Sequence, residues 1–208
     1  MDGIIFDVDG TIWDATELIG RAWGQAVKEN SDLHIEVTEE LLSKLFGKTM
    51  EDIWATLFPE LTLEEQTTLG ALCTDYENIA LETEGGIPYD GIQEVITILA
   101  KTHKIYVVSN CQQGYIPLML KRLGLEHCIL DHLCYGDTLL PKSQTIRLLM
   151  ERNNLKDVVY IGDTATDYAA CKEVGIPFIF VEYGFGDAPE ATTRVKHARE
   201  LLDLLARM

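Results

Sequence analysis

Two aspartates, Asp7 and Asp9, stand two residues apart at the end of a run of β-formers from Gly3 to Val8. At a strand end that spacing sends both side chains off the same side of the chain. Carboxylates held so close raise each other's pKa unless a cation lies beside them. A second pair, Asp163 and Asp167, follows another apolar run, Val158 to Ile161. Hard oxygen donors in this number, joined by no thiol and no histidine pair, suit magnesium rather than zinc. Lys142, directly after Pro141, adds a fixed ammonium; Thr11, Ser109 and Asn110 add hydroxyl and amide groups. Transfer of a phosphoryl group consists mostly of positioning and charge stabilisation, and these are its parts. A carboxylate can act as its nucleophile. A second carboxyl can protonate the leaving alcohol and later deprotonate the attacking water. The chemistry expected is phosphoryl transfer through Asp7, with Asp9 as acid and base.

These residues need elements to bring them together. Beyond the first strand, apolar runs at Ile105 to Val108, Val158 to Ile161 and Phe178 to Val181 predict strands, and the alternating stretch Ile129 to Cys134 a further short one. Helical patterns fall between and after them, at Ile92 to Leu99, Pro117 to Leu123, Lys142 to Arg152, Thr166 to Val174 and Ala198 to Ala206. Alternation of this kind predicts a mainly parallel sheet with helices on both faces. Ligands of such sheets bind beyond the carboxyl ends of the strands, where Asp7, Ser109 and Asp163 fall. Between Ala15 and Glu82 the pattern is helical throughout. Leu18, Ala22, Trp23, Ala26 and Val27 form one apolar face, Leu41, Leu42, Leu45 and Phe46 a second, and Leu69, Leu72, Cys73, Tyr76 and Ile79 a third. The fold class expected is therefore α/β: a Rossmann-like parallel-sheet core, residues 1–14 and 83–208, with an inserted α-helical cap, residues 15–82. Hinges are expected near Asp14 and Gly85-Gly86, so that the cap can admit substrate and exclude water.

Phe6-Asp7-Val8-Asp9-Gly10-Thr11 resembles the first motif of the haloacid dehalogenase superfamily. Val107-Val108-Ser109-Asn110, Pro141-Lys142, and Ile161-Gly162-Asp163-Thr164 with Asp167 resemble its other three motifs, in the same order. Val181 to Gly186 is similar to a loop of the phosphoglycolate phosphatase-like branch, whose cap the helical insert also matches. The resemblance implies Asp7 as nucleophile and metal ligand, and Asp9 as acid and base and as a ligand through its backbone carbonyl. It implies Asp163 as a Mg²⁺ ligand, Asp167 as a ligand or its support, and Ser109 and Lys142 as phosphoryl-binding groups. Asn110, Thr11 and Lys48, the last in the cap loop, are the remaining expected substrate contacts. Dehalogenases lack the second aspartate of the first motif, so Asp9 disfavours that chemistry. Thr11, and Met50 where β-phosphoglucomutase-like relatives carry a cap arginine, favour hydrolysis over a phosphosugar mutase. A third reading, a sensor that only binds a phosphometabolite, has no use for Asp9. A receiver-type phosphoaspartate would put the nucleophile on a later strand.

Other features have plainer readings. Asp163 and Asp167 taken alone are ordinary helix N-terminal acids. His127, Cys128, Asp131, His132 and Cys134 fit no standard zinc spacing. Cys111 is expected to be a half-buried thiol, Trp54 a cap-core residue and Trp13 a possible wall of the pocket. The net charge of −17 repels nucleic acid and anionic lipid, so a small phosphorylated metabolite is the expected partner. Five scattered cysteines and an acidic N-terminus favour a cytoplasmic location with reduced thiols and no signal peptide. Oligomeric state is not encoded in any of these features.

Overall fold

The computed structural model describes residues 1–208. The chain begins with strand β1 (Gly3–Phe6), all four residues buried, and passes through the two-residue β2 (Trp13–Asp14). Four helices follow: α1 (Thr16–Asn30), α2 (Glu39–Leu45), α3 (Met50–Leu57) and α4 (Leu63–Thr83). The chain returns through β3 (Ile87–Pro88), then runs α5 (Ile92–Leu99), β4 (Ile105–Ser109), α6 (Tyr115–Leu123), β5 (Ile129–Cys134), α7 (Tyr135–Thr138) and α8 (Lys142–Arg152). It finishes with β6 (Val158–Gly162), α9 (Ala165–Val174), β7 (Phe178–Val181), β8 (Arg194–Val195) and α10 (Glu200–Leu205).

The main sheet has six parallel strands in the order β5-β4-β1-β6-β7-β8. Because both faces are covered at its centre, β1, β4, β6 and β7 are buried throughout and mainly apolar, while the edge strands β5 and β8 carry charged residues. Ile4 and Phe6 point to one core and Ile5 to the other, the alternation a pleated strand imposes. The order places β1 between the two wings of the sheet, so the crevice at the switch point opens at the carboxyl end of β1. That is where Asp7 stands.

β2 and β3 form a separate antiparallel pair, with Trp13 opposite Pro88 and Asp14 opposite Ile87. This pair ties together the two chain crossings that flank α1–α4. Within the helices, α1 lies along α4, and Trp23 packs on Trp54 at 4.6 Å between ring centroids, with Phe58 stacked on Trp54 beyond it. Gly70, in the middle of α4, makes room for that indole: a Cβ there would meet Trp54 Nε1 at 2.5 Å. Trp54 is thus part of the helical core, as its sequence context suggested.

Within the helical insert, two details differ from the sequence expectation. α3 was not foreseen, although Thr49 caps it by accepting from the Asp52 N–H. α4 begins earlier than its apolar pattern suggested, at a full capping box between Thr62 and Glu65. Its buried stripe is Leu69, Gly70, Cys73, Glu77 and Leu81, while the expected face member Ile79 is exposed. No helix is long and apolar enough to cross a membrane.

Candidate active site

Asp7 follows β1 directly. Its N–H donates to the Ile161 carbonyl at 2.9 Å, which continues the ladder with β6 and fixes where the side chain emerges. Lys142 is the first residue of α8, brought to the same place by the crossover that packs this helix on the sheet. Its ammonium donates to Asp7 Oδ1 at 3.1 Å and to Asp167 Oδ1 at 2.5 Å, with all three side chains buried. Asp163 lies just past β6 and is fully buried. The N–H groups of Phe185 and Gly186, in the loop after β7, donate to its Oδ2 at 2.8 and 3.2 Å. Gly10 has φ +79°, and a Cβ at that residue would fall 2.1 Å from the Asp163 carboxylate. Only glycine permits both the left-handed turn and this approach.

Asp167 joins a helix start to the buried lysine. Its Oδ2 accepts from the N–H and hydroxyl of Thr164, closing the capping box at the start of α9, while its Oδ1 accepts from Lys142. Ligand oxygens of Asp7, Asp163 and Asp167 lie within 4.8 Å of one another. One ammonium against three buried carboxylates leaves an excess of negative charge. Burial, then the charge of Asp167, push Asp7 up to about 6 against the pull of Lys142. Burial and the same neighbouring carboxylates push Asp163 well above the ordinary range. A divalent cation relieves that excess, and an all-oxygen donor set suits Mg²⁺. The residues present fit the metal.

Asp9 is turned away from the triad. Its Oδ1 accepts from the Tyr115 hydroxyl at 2.6 Å and from Trp13 Nε1 at 3.1 Å. The Asp9 residue is half-buried, and the enclosure of its carboxyl pushes the pKa up to about 8 in spite of these two donors. Such a group carries a proton near neutrality and can give it away, which a general acid requires.

The remaining expected contacts divide. Asp7, Asp9, Ser109, Asn110 and Lys48 line one cavity of about 30 Å³ between the sheet and the helices. Asn110 Nδ2 donates to the Gly47 carbonyl at 2.7 Å, so it also bridges to the loop that carries Lys48. Thr11 departs from expectation. It is fully buried and its hydroxyl donates to Asp163 Oδ1 at 3.4 Å, so it braces that carboxylate instead of facing the cavity. Trp13 is no pocket wall either; it is fully buried and orients Asp9.

Tyr115 and Glu77 went unforeseen as site residues. Tyr115 follows the second strand motif by five residues, a separation that carries no sequence signal. Glu77 did have one: Leu69, Cys73, Glu77 and Leu81 recur every fourth residue on one face of α4. Among the possible zinc residues, Asp131 is paired with Arg152 and Asn153, and the only group of three or more placed to hold a metal ion is the aspartate triad.

Comparison with known proteins follows the same lines. A family model described as haloacid dehalogenase-like hydrolase matches residues 4–181. A phosphoglycolate phosphatase of Rhodospirillum rubrum is 24% identical over 202 residues, which span 91% of this chain and 83% of the relative. The crystal structure of a predicted phosphatase from Clostridium acetobutylicum superimposes with a TM-score of 0.83 at 22% identity, covering 100% of this chain and 99% of that one. A β-phosphoglucomutase from Clostridium difficile gives a TM-score of 0.81 at 16% identity, covering 100% and 96%. At these identities the two structures speak for the fold.

Proposed function

The chain belongs to the haloacid dehalogenase-like hydrolase family, and from that premise we propose that it is a magnesium-dependent phosphatase of small phosphomonoesters. One observation carries the proposal. Asp7, Lys142 and the pair Asp163 and Asp167 come from three separate stretches of the chain and meet at the carboxyl end of β1, beside a cavity that also holds Asp9.

In the proposed reaction an Asp7 carboxylate oxygen attacks phosphorus as the bond to the leaving oxygen breaks. Asp9 transfers its proton to that oxygen and the alcohol departs. Asp9, now a carboxylate, takes a proton from a water molecule that attacks the phosphoaspartate; the bond between Asp7 and phosphorus breaks, and inorganic phosphate leaves. Lys142 keeps Asp7 ionised and oriented, since its ammonium is within 3.1 Å. Ser109 and Asn110 are proposed to hold the phosphoryl oxygens. Asp7, Asp163 and the Asp9 backbone carbonyl would hold Mg²⁺, with Asp167 as a further ligand or as support for Lys142. Mg²⁺ bound there supplies the positive charge that lets a phosphate dianion approach a carboxylate.

Residues 15–82 are proposed as a mobile cap on a core of 1–14 and 83–208. A cavity of about 30 Å³ holds only about one or two waters, too little for a phosphomonoester. The helices must therefore swing away to admit substrate, and the β2–β3 pair is the natural hinge. Its closing contacts would be Asn110 to Gly47 and the packing of Phe46 against Phe185 at 6.0 Å.

The test is phosphate release from a panel of phosphomonoesters with and without Mg²⁺, in wild type and Asp7→Asn. Turnover that needs Mg²⁺ and falls by at least about a thousandfold in the variant is the expected result. Activity unaffected by the substitution removes Asp7 from the mechanism. Formation of an isomeric phosphate ester in place of inorganic phosphate would indicate a mutase.

A further inference from the structure

Glu77 is a carboxylate on the buried stripe of α4, 2% exposed, where its neighbours one turn away on either side are Cys73 and Leu81. A carboxylate is costly at such a place unless it is paired or used. No cation pairs with it. Trp23 Nε1 donates to Oε2 and Gln112 Nε2 to Oε1, each at 2.8 Å. Both donors are neutral, and each oxygen retains room for a further donor. Glu77 also lines the same cavity as Asp7 and Asp9, and its charge is among the causes that raise Asp9.

The rest of the lining sharpens the point. Besides the phosphoryl-facing groups, Ile19, Trp23, Met50 and Ile53 make the wall apolar, and no arginine or histidine is part of it. The one ammonium there belongs to Lys48, which is exposed at the rim. The space beside Asp9 thus offers polar groups and apolar surface, and its single cation stands away at the rim.

We propose that Glu77 is a specificity determinant that accepts a hydrogen bond from the leaving alcohol and excludes leaving groups bearing a negative charge. The substrate class is then a phosphomonoester of an alcohol with a second hydroxyl or an amine, and phosphoglycolate, whose leaving alcohol carries a carboxylate, is a poor substrate. This rests on the phosphatase reading above and narrows it. A role as a simple clamp between α4 and the loop after β4, through Gln112, is the structural alternative, and the experiment separates them.

kcat/KM is measured with Mg²⁺ for glycerol 1-phosphate and phosphoglycolate, substrates of similar size that differ in the charge of the leaving group, in wild type and Glu77→Gln. The glutamine keeps both hydrogen bonds if the Gln112 amide turns over, and removes the charge. Wild type is expected to favour glycerol 1-phosphate at least tenfold, and the variant to shrink that ratio at least tenfold, mainly through a lower KM for phosphoglycolate. Equal or better use of phosphoglycolate by wild type overturns the proposal without needing any variant. A variant that loses activity on both substrates by the same factor also overturns it, and assigns Glu77 to the clamp. p-Nitrophenyl phosphate serves as a control: if wild type hydrolyses neither it nor any ester of the panel, the phosphatase reading itself has failed.

Discussion

Replacing Glu77 by glutamine should stabilise the protein, and the gain should grow with pH. Burial pushes this carboxyl from its ordinary 4.5 up to about 7. The unfolded chain therefore ionises first. Stability from this group is fully present below about pH 4.5 and is lost progressively as pH rises through about 7. The gap between the two values corresponds to about 3 kcal/mol at roughly 1.4 kcal/mol per pH unit. Glutamine is neutral at every pH and can satisfy both Trp23 and Gln112, so it escapes that loss. Its advantage should approach about 3 kcal/mol at pH 8 and fall below about 1 kcal/mol by pH 5. The titratable groups around Glu77 are Asp7, Asp9, Cys111 and Tyr115 in the cavity, Lys48 at its rim and Cys73 one turn earlier on α4. They are present in both proteins, so the difference between the two stability curves isolates Glu77 and its coupling to them. Urea unfolding of each protein from pH 5 to 8.5 at constant Mg²⁺, with a common m-value, gives both curves. A difference that does not vary with pH, or a variant less stable than wild type at pH 8, refutes the reasoning.

Other changes should report on the rest of the site. Mg²⁺ at a hundred times its dissociation constant should stabilise wild type by about 2.7 kcal/mol, raising the melting midpoint, and Asp163→Asn should abolish that rise; a variant that still responds to Mg²⁺ as wild type does places the ion elsewhere. Tyr115→Phe deletes the hydroxyl that donates to Asp9 at 2.6 Å and should lower kcat by roughly tenfold or more with little change in KM, measured at saturating substrate; an unchanged kcat would show that Asp9 needs no such orientation. Gly70→Ala would thrust a methyl to 2.5 Å from Trp54 Nε1 and should cost about 1–3 kcal/mol by overpacking, seen as a lower urea midpoint; a neutral substitution would mean that Trp54 can shift freely.

The site was readable from sequence wherever chemistry sat at the end of an apolar strand. β1, β4 and β6 are buried on both faces, so each is an unbroken apolar run, and the polar residue that follows marks the sheet's carboxyl edge. This is why Asp7, Ser109 and Asp163 could be located at that edge before any coordinates. The helical insert was harder because its helices are amphipathic and short. The eight residues of α3 offer little more than two turns of pattern, and its start at Thr49 is a cap signal easily lost beside Gly47.

What escaped the sequence is of one kind: polar side chains whose role comes from packing across elements. Thr11 was expected to face substrate because its motif suggests it, yet the turn at Gly10 brings it onto Asp163. Tyr115 meets both Asp9 and Trp13 across about a hundred residues of chain, and nothing local to it announces the encounter. Glu77 is the instructive case. An apolar face drawn through α4 by residue type runs through Tyr76 and Ile79 and passes over the glutamate, but fourfold spacing from Leu69 through Cys73 to Leu81 runs through Glu77. When hydrophobicity and spacing disagree on a helix, the spacing identifies which side is buried, and the polar residue it captures is in the interior for a reason other than stability. In this protein that residue lies on the wall of the reaction cavity, which is what makes its charge a candidate for choosing the substrate.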